Sequence, residues 1–337
     1  MANITAERGD GLADGMPRDE RGYWRPDGDV GAPNPWFTWP PKPRAALLWL
    51  KEYLWPYNIV FMIVAALTWL YLTPETSRMT EFRAGWILEI FLRNQIMLIV
   101  YASVLHISMW TLKTQGYQYK LSLHWMSKSK KFLWNDQVRD NMFWTIASAG
   151  TIWTGFEVLM HYAYANGYIS FINPREQPVA FALILFLSPL WYNFYFYWGH
   201  RLLHVKFLYK HIHHVHHRNI EVGPWSGLSQ HPIEHIVMYA SMLIHPLIGA
   251  HPINMIFQGQ QVTFGSITGH GGFEEIVVKD KLKISYGNYW HSLHHRFFEC
   301  NYGEPTIPLD HLFGTNCDGS PEAREKMLAR MRAMHGS

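Results

Sequence analysis

The chain has 337 residues, a net charge of +3, and charged and aromatic fractions of 16% each. That charge content lies well below the roughly 25% usual for soluble domains. So small a positive excess, with no basic nucleic-acid-binding motif, excludes nucleic acid as a partner. Two cysteines, Cys300 and Cys317, are too few for a disulfide framework or a four-thiolate metal site and read as ordinary reduced thiols.

Residues 1–45 are polar and rich in Gly, Pro, Asp and Arg. They predict a largely disordered tail, with Trp36, Phe37 and Trp39 resting on a membrane surface; no secretory signal is legible in it. The block LWPYNIVFMIVAALTWLYLT (54–73) has the roughly 20-residue length that spans a bilayer. The next block, 86–112, carries Glu89 and Arg93 near its start, and their i,i+4 spacing predicts an ion pair on one helix. A basic linker, 113–140, follows. In block 142–165, Glu157 and His161 are again four apart. An uncompensated acid inside a span costs roughly 2.5–3.5 kcal/mol, so they are expected to face the bundle interior and pair with each other. Block 179–198 ends in Trp191, Tyr192, Phe194, Tyr195, Phe196, Tyr197 and Trp198, which suit either the wall of a lipid entrance or an interfacial aromatic belt. Region 236–267 is broken by Pro246 and Pro252 and predicts a helical hairpin that spans twice or dips in and returns.

Lysine and arginine concentrate before the first block and in the linker after the second. By the positive-inside rule, four crossings put the N-terminus, the linker and every histidine cluster on the cytoplasmic side. The expected fold is an all-α integral membrane protein with about four transmembrane helices plus a helical hairpin. A cytosolic, histidine-rich helical cap would hold two metals. The division is a tail (1–45), a transmembrane region (46–198), a histidine region (199–317) and a C-terminal helical tail (318–337). With no organelle signal legible, a bacterial inner membrane is the expected location.

The chemistry is concentrated in three histidine sets. GHRLLH holds His200 and His204, HIHHVHH holds His213, His216 and His217, and HSLHH holds His291, His294 and His295. On a helix, positions i, i+3 and i+4 fall within an arc of about 100°, so each HxxHH triplet aims three imidazoles one way. His211 and His214 fall outside that arc. Eight histidines exceed what one ion takes, since a structural zinc site closes with four ligands and a catalytic one keeps about three. They suggest two metals of the iron, zinc or copper group, which imidazole suits. Scarce Cys, Asp and Glu in these segments exclude iron–sulfur and calcium sites.

HRLLH, HIHHVHH and HSLHH resemble the HxxxH, HxxHH and HxxHH boxes of the fatty acid hydroxylase/sterol desaturase superfamily. PWSGLSQHPIEH (224–235), TGHGGFEE (268–275) and NYGEPTIPLDHLFGT (301–315) are similar to further elements of these enzymes, so the resemblance covers about residues 190–315. It implies a membrane-embedded oxygenase with a histidine-ligated pair of irons, which zinc or nickel can replace in purified protein. The implied reaction uses O2 and two external electrons to hydroxylate or desaturate a membrane lipid, a sterol or a fatty acyl lipid. By position it makes His200, His204, His213, His216, His217, His291, His294 and His295 catalytic through the metals, adds His270 as a ligand, and offers His231 as the tenth. Some relatives carry a histidine where this chain has Ser266. His235, His245, His251 and His311 are read as structural, and Asn193 and Glu234 as groups that fix imidazole tautomers. No cytochrome b5 domain is legible, so a separate cytochrome b5-like or ferredoxin-like donor is expected. Two rival readings are a histidine-rich metal transporter, whose ligands would lie near the midplane of its spans, and a zinc-dependent membrane hydrolase, which would need an acid such as the Glu of HExxH.

Overall fold

The computed structural model describes residues 16, 18–28, 30–279 and 281–335; the rest of the expected tail, residues 1–15 above all, lies outside the described residues. Three helices are long and apolar enough to cross a membrane by length and composition: α1 (Pro43–Tyr71), α2 (Ala84–Thr111) and α4 (Pro178–Leu203). Their outer faces show why. On α2, Leu88, Leu92, Ile96, Val100 and Val104 stand exposed at every fourth position, which on a helix is one continuous apolar stripe. A stripe of that length fits hydrocarbon and not water. In α1 the backbone leaves helical geometry at Trp55, just before Pro56, whose ring cannot continue the preceding turn.

The third apolar block also forms a continuous helix, α3 (137–165), but it is not among the three. Its inner face is too polar: Thr154, Glu157 and His161 are buried there beside Trp153 and Tyr164. The four expected crossings therefore become three that meet the criterion plus one helix packed against them. Glu89 and Arg93 do not pair. Glu89 meets Arg78 at 2.5 Å, while Arg93 reaches across to Glu157, and Asn94 Nδ2 donates to the same carboxylate at 3.0 Å. Glu157 does contact His161, at 3.3 Å, so the expected pair is one edge of a larger buried network.

After α4, residues 206–217 form a short helix, α5, that includes a π-helical turn at Tyr209–His213. Helix α6 (Pro232–Tyr239) and α7 (Pro252–Gly269) make the predicted hairpin, with the chain reversing near Gly249 at φ +62°. Helix α7 is the centre of the molecule. It packs on α1, α4 and the turn at Pro224–Leu228, and Met255, Ile256, Phe257, Val262 and Ile267 join one hydrophobic core with Phe61, Ala65, Leu98 and Trp153. Close approach depends on Gly227, where a Cβ would sit 2.2 Å from the Ser266 carbonyl oxygen.

The fold is not wholly helical. Strands β1 (Glu275–Val278) and β2 (Leu282–Ser285) form an antiparallel hairpin: the β-branched run Ile276, Val277 and Val278 and the alternating Leu-Lys-Ile-Ser of β2 suit extended chain, and Lys279 at φ +51° begins the turn between them. Helix α8 (Tyr289–Phe297), the short α9 (Leu309–Leu312) and α10 (Pro321–His335) follow. Part of the supposedly disordered tail is also structured. Trp24 is buried against Leu121, Tyr289 and Leu293, Asn34 Nδ2 donates to the Thr306 carbonyl at 2.7 Å, and Gly31 lies so close to Trp290 that a Cβ would stand 1.9 Å from its ring. Trp36, Phe37 and Trp39 stay exposed. A few such anchors are enough to order a polar strap that composition reads as mobile.

Candidate metal centre

The end of α4, three of the five histidines of α5, the residue after α7 and the body of α8 point imidazoles at one another. His200, His204, His213, His217 and His294 form one group. His216, His270, His291 and His295 form a second. Within each, the nearest ring nitrogens all lie within 4.8 Å of one another. Eight of the nine are buried, and His204 is half-buried. Each HxxHH triplet is divided between the groups: His213 and His217 join the first and His216 the second, while His294 joins the first and His291 and His295 the second. A single helix face therefore serves two ions, because i+3 and i+4 diverge by one residue step.

Main-chain carbonyls set the tautomers. Nδ1 of His200 donates to the Tyr302 carbonyl at 2.7 Å, that of His270 to Ser266 at 2.8 Å, and that of His294 to Cys300 at 2.6 Å. A ring that donates from Nδ1 presents a bare lone pair at Nε2 when neutral. Those bare nitrogens face one another. Nε2 to Nε2 separations are 3.1 Å for His200 and His213, 3.2 Å for His204 and His217, and 3.0 Å for His217 and His294. In the second group His270 Nε2 stands 3.3, 3.1 and 3.0 Å from His216, His295 and His291. Two nitrogens bound to one ion at 2.0–2.1 Å stand roughly 2.9–3.4 Å apart for angles between 90° and tetrahedral. Lone pairs converging at that spacing repel unless a cation lies among them, so the donor set fits two metal ions.

Electrostatics agree. Burial, reinforced by neighbouring imidazoles, holds His204, His213, His216, His217, His291, His294 and His295 well below the ordinary histidine range, and burial brings His270 down to about 4. The rings are neutral at physiological pH, the form that binds metal. Nδ1 of His204, His216, His217, His291 and His295 is buried without a protein partner. Glu234, fully buried on α6, places Oε1 2.9 Å from His213 Nδ1 and so orients that ring, as its position beside the boxes predicts; burial pushes its carboxyl well up.

The structure does not bring His231 into either group. It caps the start of α6, where its Nδ1 accepts from the Ile233 amide at 3.2 Å. His251 does the same for α7 with Ile253. His235 is held by Ser148 and the Leu228 carbonyl, His311 stacks on Trp290, and His211 and His214 are exposed. The sequence reading missed the carbonyls of Tyr302, Cys300 and Ser266, because a backbone acceptor has no residue type to betray it.

A cavity of about 220 Å³ opens between α1, α4 and α7. Phe61, Phe196 and Met238 line it, and so do His200 and His213 of the first group and His216, His270 and His291 of the second. Asn193 also lies on its wall. A molecule in this cavity would touch both groups from the side of the apolar helices.

Comparison with known proteins bears on these residues. The family model described as fatty acid hydroxylase matches residues 185–315, the stretch that holds all nine clustered histidines. A methylsterol monooxygenase of Arabidopsis thaliana is 31% identical over 152 residues, 44% of this chain and 56% of the relative. A very-long-chain aldehyde decarbonylase of Oryza sativa subsp. indica is 31% identical over 131 residues, 37% of this chain and 49% of the relative. A second aldehyde decarbonylase, from Arabidopsis thaliana, is 30% identical over 167 residues, 46% of this chain and 26% of the relative. The chain thus spans about half the length, or less, of these curated relatives. All three are eukaryotic and lend no support to a bacterial inner membrane. No solved structure matches the chain. Residues 185–315 therefore belong to the fatty acid hydroxylase family, within the superfamily that also holds the sterol desaturases.

Proposed function

We propose that this protein is a membrane-bound lipid oxygenase in which nine histidines hold two irons, and that it hydroxylates or desaturates a lipid at an unactivated C–H bond with O2. The observation that carries the reading is the convergence of two sets of bare Nε2 atoms on the floor of a cavity walled by apolar helices. Ligands for the first iron would be His200, His204, His213, His217 and His294, and for the second His216, His270, His291 and His295. Iron bound there would supply the oxidising chemistry, drawing on O2 and two electrons from a separate cytochrome b5-like or ferredoxin-like carrier.

The chain's own residues do the rest. The Tyr302, Ser266 and Cys300 carbonyls hold three rings in the binding tautomer, and Glu234 holds a fourth in orientation. Phe61, Phe196 and Met238 exclude water from the reacting position, which protects it from side reactions. The concentration of Lys and Arg before α1 and in the linker favours a cytoplasmic position for the histidines. The rival transporter would need ligands along a path near mid-membrane, and the ring nitrogens instead cluster at and beyond the end of α4, on the short helices α5 and α8.

Purified full-length protein is expected to contain two irons per chain and to consume O2 only when lipid and reductant are both supplied, measured by metal analysis and an oxygen electrode. Zinc-dependent ester or amide cleavage without O2 uptake, or transport of metal into vesicles, would overturn the reading.

A further inference from the structure

Helix α5 gives His213, His216 and His217 to the two groups and shows the surface a different face. Lys206, Phe207, Lys210, His211 and His214 are all exposed, and steps of three and four residues put them on one side of the helix. From Gly199 to Arg218 the sequence holds Arg201, Lys206, Lys210 and Arg218 and no Asp or Glu. Arg218 pairs with Asp140, but Lys206 and Lys210 have no ion-pair partner among the described residues. Glu299, near Tyr209, is buried and already takes the Tyr302 hydroxyl at 2.5 Å. The positive surface runs on past α5, where the Lys131 ammonium donates to the Arg218 carbonyl at 2.9 Å and Lys130 beside it is exposed. One ligand lies next to this face. His204, two residues before Lys206, is half-buried where the other eight clustered histidines are buried. Its ring lies 5.5 Å from that of Tyr209 and 4.9 Å from that of Tyr302, and Val205 and Phe207 after it are exposed.

We propose, resting on the lipid-oxygenase reading, that the exposed face of α5 is the docking surface for the electron carrier, and that the carrier is an acidic protein seated beside His204. Unpaired cations held on a helix attract an acidic partner and speed its encounter, and Phe207 among them offers an apolar contact. Electron transfer falls steeply with distance, and His204 is the ligand a carrier on this face approaches most closely. Two carriers dock in turn; each gives up one electron and leaves oxidised, which supplies the two electrons that the O2 reaction takes up. Four of the five residues on the face are Lys or His, so it is too polar to sit in hydrocarbon.

The test is equilibrium binding of oxidised carriers, by calorimetry, to the metal-loaded full-length protein in nanodiscs of phosphatidylcholine, a lipid without net charge. The probes are the soluble haem domain of cytochrome b5 and a plant-type ferredoxin, both acidic, and cytochrome c, which is basic. The acidic carriers are expected to bind at about 20 mM salt and to lose at least about ten-fold in affinity at about 300 mM; cytochrome c should bind at least about ten-fold more weakly than they do. Changing Lys206→Glu and Lys210→Glu together should weaken the acidic carriers at least about ten-fold at low salt and slow anaerobic reduction by the reduced carriers to match. Metal content and reduction by dithionite should not change. Lys326→Glu, on exposed α10, should stay within about three-fold. Binding of neither acidic carrier, equal binding of cytochrome c, carrier-driven reduction unaltered in the double variant, or a loss in Lys326→Glu as large as in that variant overturns the proposal. So does altered retention of phosphatidylserine in mixed discs with carrier affinity unchanged, which would make the face a lipid-headgroup surface. Binding is read without turnover, so a failure of iron loading would sink the oxygenase reading and leave this result standing, whereas a failure of docking leaves the iron content untouched.

Discussion

His231 and His251 each precede a proline and an isoleucine, and in both the Nδ1 accepts the amide proton two residues on at 3.2 Å. The repeated HPI was present in the sequence, and its physical meaning is a helix start: proline suits the first helical position, and the residue before it is held in extended geometry with its side chain free to cap. The eight box histidines were legible for the opposite reason, since i, i+3, i+4 spacing fixes direction whatever the tertiary context, whereas His270 was reached only through the resemblance carried by TGHGGFEE. This separates two outcomes. His294→Ala removes a ligand from the group of five and His270→Ala one from the group of four, so each should lower iron content from two towards one per chain and abolish turnover. His231→Ala should leave iron content unchanged and cost about 1 kcal/mol as a lost cap. Metal analysis beside thermal unfolding checks all three variants.

Between helices, the misassigned pair is instructive. Glu89 and Arg93 satisfy the local i,i+4 rule, yet Arg93 turns inward to Glu157 on another helix, because an acid buried between helices needs a cation more than an exposed one does. Sequence spacing reports neighbours on one helix and is blind to those on the next. Removing one member of a buried pair typically costs about 3–5 kcal/mol, so Glu157→Gln should lower the unfolding temperature markedly, with iron stoichiometry retained in the folded fraction. A second effect belongs to the strand hairpin. Glu274 accepts from the Tyr289 amide at 2.7 Å, but burial pushes its carboxyl up to about 7. A carboxyl raised on folding binds its proton more tightly in the folded chain, so its contribution to stability is full below about 4.5 and is lost as pH rises towards about 7. Discounted for partial exposure, the loss is on the order of 1–2 kcal/mol. Wild type should therefore become less stable relative to Glu274→Gln between pH 5 and pH 7.5, read as the difference between their unfolding temperatures.

At the scale of the whole chain, hydropathy made the three long apolar helices and the hairpin legible, whereas the strap over the histidine region was not, since its hold rests on Trp24, Gly31 and Asn34 meeting partners from Leu121 to Thr306. Lys120 illustrates the same long reach: buried, its ammonium donates to the carbonyls of Ser122 and His124 and lies 4.6 Å from the Trp110 ring, whose indole donates to the Gly271 carbonyl just after His270. Because the nine imidazoles repel one another without cations, chelation should lower the unfolding temperature of this region strongly, and added iron should restore it. The order of synthesis gives the arrangement a further consequence. Helices α1 and α2 leave the ribosome first, α5 supplies three of the nine histidines, and α8 completes both groups only near the end of translation. On the proposed reading, biogenesis would install the protein in its bilayer before it can capture iron, so iron-starved cells should accumulate an inserted, empty precursor that matures once the nutrient returns.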